Sequence, residues 1–247
     1  MKKKQQMGLV GKNIDYSFSK AYFTTKFKDP KLAQFTYSNF DLANLSEFPK
    51  IVKENPNLKG LNVTIPYKEA VIPYLNQLSK KAAKIGAVNT IKFTQKGTLK
   101  GYNTDCYGFK KALKKVLQPH HKRALILGTG GASKAVAFAL NELAIGFTFV
   151  SREAVPPALS YAQLDATVFE NYPIIINCTP LGTFPNVSEC PPLPYAALTA
   201  NHLVFDLIYN PEETLFLKKA KAQGATTKNG WDMLIYQAEK AWEIWNK

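Results

Sequence analysis

A glycine-rich turn, Gly128-Thr129-Gly130-Gly131-Ala132-Ser133, follows the apolar run Ala124–Leu127 and leads directly into a helical pattern. Ala132, Val136, Ala139, Leu140 and Leu143 recur at the i, i+4, i+7, i+8, i+11 spacing of one helix face. Glycine permits a sharp turn and lets a ligand approach the backbone closely. The helix start that follows presents free N–H groups and a positive dipole end to an anion. Ser133, at the third position of the pattern, is small enough for helix and strand to pack closely. A glycine turn alone is a weak signal; the flanking strand and helix make it a pyrophosphate-binding turn. It predicts a Rossmann-type βαβ unit and a dinucleotide cofactor.

The rest of the second half fits that unit. Phe147–Val150, Ile174–Ile176 and Leu203–Leu207 read, with Ala124–Leu127, as strands buried on both faces, and Ala225–Lys228 is a weaker fifth. Short apolar runs alternating with helical stretches imply a parallel sheet. The first half alternates as well. Leu9–Val10 and Ala33–Tyr37 read as strands with a helix after Ser19 between them, and Gly60–Val63 as a third strand with a helix starting near Pro66. Ala87–Phe93 reads as a strand leading to a hairpin turn at Lys96-Gly97. The fold class is therefore α/β, with two α/β domains that meet near Asp105. A helix over Tyr107–Leu117 leads into the second domain, and an amphipathic helix over Asp232–Trp245 ends the chain.

Composition excludes several classes. With 247 residues the chain is long enough for two small cores. No apolar run approaches the ~18–20 residues that span a bilayer, and the basic start has no apolar stretch of a secretory signal behind it. Three cysteines, Cys106, Cys178 and Cys190, show no CxxC spacing, so free thiols in a reducing cytoplasm are expected and no metal site. The formal net charge is +14. Its lysines are scattered along the chain in ones and twos; only Lys2–Lys4 form a run, which reads as a solvated tail. No nucleic-acid-binding motif accompanies the charge, so small anions are the expected partners.

Four polar clusters stand outside the glycine turn. Asn62-Val63-Thr64-Ile65-Pro66-Tyr67-Lys68 follows a buried strand, and alternation puts Asn62 and Thr64 on one face at its end. Lys68 is placed at the start of the expected helix, where the dipole disfavours a cation, which marks it as a candidate for chemistry. Ala87-Val88-Asn89-Thr90 and Gly101-Tyr102-Asn103-Thr104-Asp105 are two more. Ser17 and Ser19, two hydroxyls at i and i+2 before a helix, either cap it or bind a carboxylate there. Arg152, in Ser151-Arg152-Glu153 after the second strand of the unit, is placed to pair with a 2′-phosphate, which favours NADP over NAD; Glu153 would repel the same phosphate if it faced inward.

In this order and spacing the clusters resemble the shikimate dehydrogenase family over nearly the whole chain. The resemblance includes Asn62 to Lys68, Gly86 to Thr90, Gly101 to Asp105, Asn177 to Gly182, Asp206 to Pro211 and Asn229 to Gln237. It implies an N-terminal substrate domain, residues 1–105 with 232–247, and a Rossmann-type NADP domain, residues 106–231. It implies Lys68 and Asp105 as the catalytic pair, and Ser17 and Ser19 as holders of a carboxylate. Thr64, Asn89 and Gln237 would bind ring hydroxyls, with Asn62 and Tyr209 lining the same pocket. Gly128, Thr129, Gly130, Gly131, Ala132, Ser151 and Arg152 would bind NADP, with Leu207, Gly230 and Met233 near the nicotinamide. The implied activity is NADP-linked reversible reduction of 3-dehydroshikimate to shikimate in the cytoplasm, by a monomer or homodimer. The alternatives are an NAD-using quinate/shikimate dehydrogenase and a catalytically silent ligand sensor. Tyr16, Lys20, Lys80, Cys106, Glu153 and Trp231 depart from the family's usual residues.

Overall fold

The computed structural model describes residues 4–15, 17–153 and 155–247. Tyr16 and two lysines of the basic start, Lys2 and Lys3, lie outside them. The chain divides into two compact units, one of residues up to Thr104 with Ala238–Lys247, the other Asp105–Gln237.

The first unit contains β1 (Gln5–Gly11), α1 (Phe18–Lys26), β2 (Phe35–Asp41), α2 (Phe48–Glu54), β3 (Leu58–Val63), β4 (Gln77–Leu78), α3 (Lys80–Ile85), β5 (Thr90–Phe93) and β6 (Leu99–Tyr102). They form a mixed sheet in the order β2-β1-β3-β5-β6-β4. β1 runs parallel to β2 and β3, whereas β5 is antiparallel to both β3 and β6. The β5–β6 hairpin turns at Lys96-Gly97, where Gly97 takes φ +74°, a left-handed conformation that glycine adopts without strain.

Among the expectations for this unit that need correction, β5 begins at Thr90, not Ala87. β2 begins at Phe35, not Ala33, because Asp29 caps a short 3₁₀ turn over Pro30–Leu32 and delays the strand. α1 begins at Phe18, so Ser19 lies in its first turn rather than before it. No helix starts near Pro66. One helical bond forms, from the Val71 amide to the Tyr67 carbonyl, and the chain then tightens into a 3₁₀ turn over Ile72–Tyr74. Pro73 is the reason: it has no N–H to give the Glu69 carbonyl, and its ring would clash with that carbonyl in a continued α-helix. Lys68 therefore stands in a turn, and the dipole argument for it has no helix behind it.

The second unit contains α4 (Asp105–Leu113), β7 (Arg123–Leu127), α5 (Gly131–Asn141), β8 (Gly146–Ser151), β9 (Leu159–Ser160), α6 (Ala166–Asn171), β10 (Ile174–Asn177), β11 (Leu203–Asp206), α7 (Leu215–Ala222), β12 (Thr226–Lys228) and the start of α8 (Trp231–Asn246). Its six strands are all parallel, in the order β12-β11-β10-β7-β8-β9. β10 and β11 are buried throughout, as an apolar run in a doubly covered sheet requires. β8 differs from its expectation: Phe147, Thr148 and Phe149 are half-buried. Its outer neighbour β9 is two residues long and pairs only with Val150 and Ser151, which leaves the first half of β8 at the sheet edge. α4 starts two residues earlier than Tyr107 and ends at Leu113. Gly108 lets α4 approach the start of α8, since a Cβ there would lie 2.5 Å from the Met233 carbonyl.

Within the first unit, the last turns of α8 pack on an aromatic core. Ala238, Ala241 and Trp245 join Met7, Leu9, Phe23 and Tyr37, and the Trp245 indole N–H donates to the Ile91 carbonyl at 3.0 Å. Among the described residues no helix is long and apolar enough to cross a membrane, and no three potential ligands gather for a metal.

Candidate active site

The sequence separates Asn62, Asn89 and Thr104 widely, but the first unit joins them by side-chain hydrogen bonds. Asn62, at the end of β3, is buried. Its Oδ1 accepts from the Tyr37 hydroxyl at 2.8 Å, and its Nδ2 donates to the Asn89 carbonyl at 3.3 Å and to Thr90 Oγ1 at 3.4 Å. Asn89 Oδ1 accepts from the Thr104 amide at 2.7 Å and from the Thr90 hydroxyl at 3.1 Å; its Nδ2 donates to Thr104 Oγ1 at 2.9 Å. Asn103 donates from Nδ2 to the Ala87 carbonyl at 3.0 Å. The Lys68 carbonyl accepts from the Val88 amide at 2.7 Å, and the Asn89 carbonyl from the Val63 amide at 2.8 Å. Three motifs thus form one assembly that fixes the backbone under Thr64 and Lys68, both half-buried. Tyr67 anchors the same turn by donating to the Leu42 carbonyl at 2.7 Å.

Ser17 caps α1: its Oγ accepts from the Ser19 amide at 3.2 Å. Burial holds the Tyr37 hydroxyl above the ordinary tyrosine range, and a hydrogen bond from the Ser19 side chain opposes that shift. Tyr37, Thr90, Asn103 and Thr104 are members of the assembly with no role assigned from the sequence. The last three sat inside motifs already singled out. Tyr37 gave no signal, being one more aromatic on a half-buried strand.

The second unit builds its candidate site from backbone. Gly128 turns at φ +100°, and a Cβ there would press on Thr179 Cγ2 at 3.2 Å. The Gly128 amide donates to the Val150 carbonyl at 2.8 Å, and the Cys178 amide to the Leu127 carbonyl at 2.9 Å. β7 lies between β8 and β10, so the turn sits at the carboxyl ends of the strands where their order reverses, the place where open α/β sheets bind ligands. Gly130 is the N-cap of α5 and supplies no side chain to its first-turn N–H groups. Thr129 and Gly130 are exposed, and a Cβ on Gly130 would meet nothing within 4 Å. An uncapped helix start with open space before it fits a pyrophosphate. Ser133 is buried and donates to the Gly130 carbonyl at 2.6 Å, locking the turn onto its helix. Ser151 donates to the Glu153 carbonyl at 2.9 Å, and Arg152 and Glu153 are exposed.

Asp206 organises the loop that follows β11. It is fully buried and accepts from Thr214 Oγ1 at 2.6 Å, Asn177 Nδ2 at 3.0 Å and the Ile208 amide at 3.0 Å. Burial pushes its carboxyl up to about 6, against those three donors. The loop it holds carries Leu207 and Tyr209. Gly230 has no room for a side chain, since a Cβ would lie 2.0 Å from the Leu207 carbonyl oxygen. Met233, buried, follows in α8, and Tyr209 faces Trp231 with ring centroids 6.4 Å apart. Asp105, buried, opens α4, where the helix dipole favours its negative charge. Gln237 is buried in α8 and donates to the Leu234 carbonyl at 3.0 Å.

A parallel sheet with an uncapped glycine turn at its switch point defines the second unit as a Rossmann-type α/β unit. The profile of the shikimate dehydrogenase substrate binding domain matches residues 9–91. Shikimate dehydrogenase (NADP(+)) of Clostridium botulinum is 40% identical over 96% of this chain and 95% of its own length. A crystal structure of shikimate dehydrogenase in complex with NADP+ superposes with a TM-score of 0.87 at 34% identity, over 98% of this chain and 90% of that one. That of the Thermus thermophilus shikimate 5-dehydrogenase, in complex with NADP(H) and shikimate, gives 0.84 at 31% identity over 98% and 93%. The chain belongs to the shikimate dehydrogenase family.

Proposed function

We propose that this chain catalyses the NADP-linked, reversible reduction of 3-dehydroshikimate to shikimate, a step toward the aromatic amino acids. The observation that carries the reading is the hydrogen-bonded assembly of Asn62, Asn89 and Thr104 beneath Lys68, in a chain whose second unit holds an open, uncapped nucleotide turn. The first unit is the substrate domain in this reading and the second the NADP domain. Ser17 and Ser19 hold the carboxylate; Asn62, Thr64, Asn89, Tyr209 and Gln237 meet the ring. Gly128 to Ala132 cradle the pyrophosphate, Ser151 and Arg152 take the 2′-phosphate end, and Leu207, Gly230 and Met233 shape the nicotinamide wall.

Bound NADPH supplies the hydride. Lys68 donates a proton to the oxygen as it becomes an alkoxide, and in the reverse direction its neutral amine accepts one. Asp105 hydrogen-bonds the same oxygen and keeps Lys68 in place. Positioned proton transfer of this kind contributes ~10²–10⁴-fold. The reading takes the enzyme as a cytoplasmic monomer or homodimer that does not bind nucleic acid. Glu153, exposed beside Arg152, favours a second reading in which NAD and quinate are used. Comparing kcat/KM for shikimate and quinate, each with NADP+ and NAD+, decides between them: the highest value for shikimate with NADP+ is expected, and the highest for quinate with NAD+ would replace the first reading by the second.

A further inference from the structure

We infer that Tyr37 is a positioning residue for substrate recognition, its hydroxyl fixing the Asn62 carboxamide so that the amide donor faces the ligand. The inference rests on the proposed function. Asn62 has three polar neighbours, and they are unequal. The Asn89 carbonyl can only accept, so the nitrogen of Asn62 must face it, at 3.3 Å; the Thr90 hydroxyl lies on the same side at 3.4 Å. Both are long for hydrogen bonds of this kind. On the other side the Tyr37 hydroxyl donates to Oδ1 at 2.8 Å, the ordinary length of a well-made O–H···O bond, in a buried setting. The acceptor end is therefore held firmly and the donor end loosely. The carboxamide is planar and turns as one unit, so the anchored oxygen also fixes the plane in which both N–H bonds point.

The Tyr37 ring is itself immobilised. It stacks on Phe23 with centroids 4.7 Å apart and planes 13° from parallel, in the core that also holds Trp245. Its hydroxyl donates to Asn62 Oδ1, so the Tyr37 proton is directed to Asn62. Removing only the hydroxyl keeps the packing but takes away the anchor of Oδ1, so the carboxamide can rock about the long contacts on its nitrogen and its donor loses its fixed direction.

Steady-state kinetics on Tyr37→Phe test this. The KM for shikimate is expected to rise about three- to tenfold, the scale of one hydrogen bond, with kcat within about twofold and the KM for NADP+ unchanged. In an Asn62→Ala background the same substitution is expected to change the shikimate KM by less than about 1.5-fold, because the group it acts through is gone. A structural role would act equally in both backgrounds, and that result, or a wild-type KM in Tyr37→Phe, overturns the inference. Asn62→Asp keeps an acceptor for Tyr37 and removes the donor; it is expected to raise the KM as much as Asn62→Ala, and a wild-type KM there also overturns it. Wild-type protein with no shikimate turnover overturns the functional reading and this inference together, whereas normal wild-type turnover with an unaffected Tyr37→Phe overturns this inference alone.

Discussion

Asn89 in the first unit and Gly130 in the second are both loop residues next to a strand, and both belong to the candidate site, yet they are built in opposite ways. Asn89 is buried, and both ends of its carboxamide are engaged by Thr104 and Thr90. Gly130 is exposed, has no side chain, and would meet nothing if it gained one. In the proposed reading the first region recognises with side chains that are also part of the fold. In the same reading the second recognises with backbone N–H groups that the fold leaves open. Ring hydroxyls differ from each other only in position, so selecting among them requires several directed donors and acceptors held rigidly. A pyrophosphate carries its charge on any nucleotide, and a helix start suffices to bind it.

The largest expected effect belongs to the chemistry itself. Lys68→Ala is expected to lower kcat by at least about a hundredfold, with KM changed far less. Near-wild-type turnover, followed by nicotinamide absorbance, would remove Lys68 from the reaction.

Next comes the buried carboxylate of the nucleotide unit. Asp206 has an ordinary value of 3.8 and is pushed up to about 6 in the fold. Protonation therefore favours folding: the contribution is complete below the unfolded value and is lost as pH rises through about 6. Wild-type stability is expected to fall by about 3 kcal/mol from this group across that range, and Asp206→Asn is expected to flatten the slope. Urea titrations at several pH values measure it, and equal slopes for the two proteins would count against it.

Asn89→Ala and Gly130→Ala cut across the two construction modes. The first leaves buried donors of Thr90 and Thr104 without their acceptor and is expected to cost about 1–3 kcal/mol of stability while raising the KM for shikimate. The second is expected to change stability by less than about 0.5 kcal/mol, as surface substitutions do, while raising the KM for NADP+ alone. If Gly130→Ala unfolds the protein, or Asn89→Ala leaves stability untouched, the contrast between the regions fails.

The sequence made one of these regions more legible than the other. The glycine turn is local, with strand, glycines and helix consecutive, so Gly128–Ser133 could be read without the fold. The parallel strands from Ala124 onward were equally plain, since apolar runs mark doubly covered strands; β8 was read as too buried only because its short partner β9 could not be foreseen. The first unit's assembly is non-local. Its motifs are visible as three of the four polar clusters, but not that Asn103 and Thr104 serve as fixtures, nor that Tyr37 completes the set from a strand of ordinary appearance. The expected helix at Lys68 failed for a reason that was in the sequence, Pro73, whose effect reaches back to the Glu69 carbonyl. The sequence leaves Ser17 open between capping and binding, and the structure shows its Oγ as the acceptor that caps α1.

The central claim is the reaction. Incubating the purified chain with 3-dehydroshikimate and NADPH, and comparing cofactor consumed with product resolved by chromatography, tests it most directly. One shikimate formed for each NADPH oxidised is the predicted result; no NADPH oxidation, or oxidation without shikimate, would contradict it.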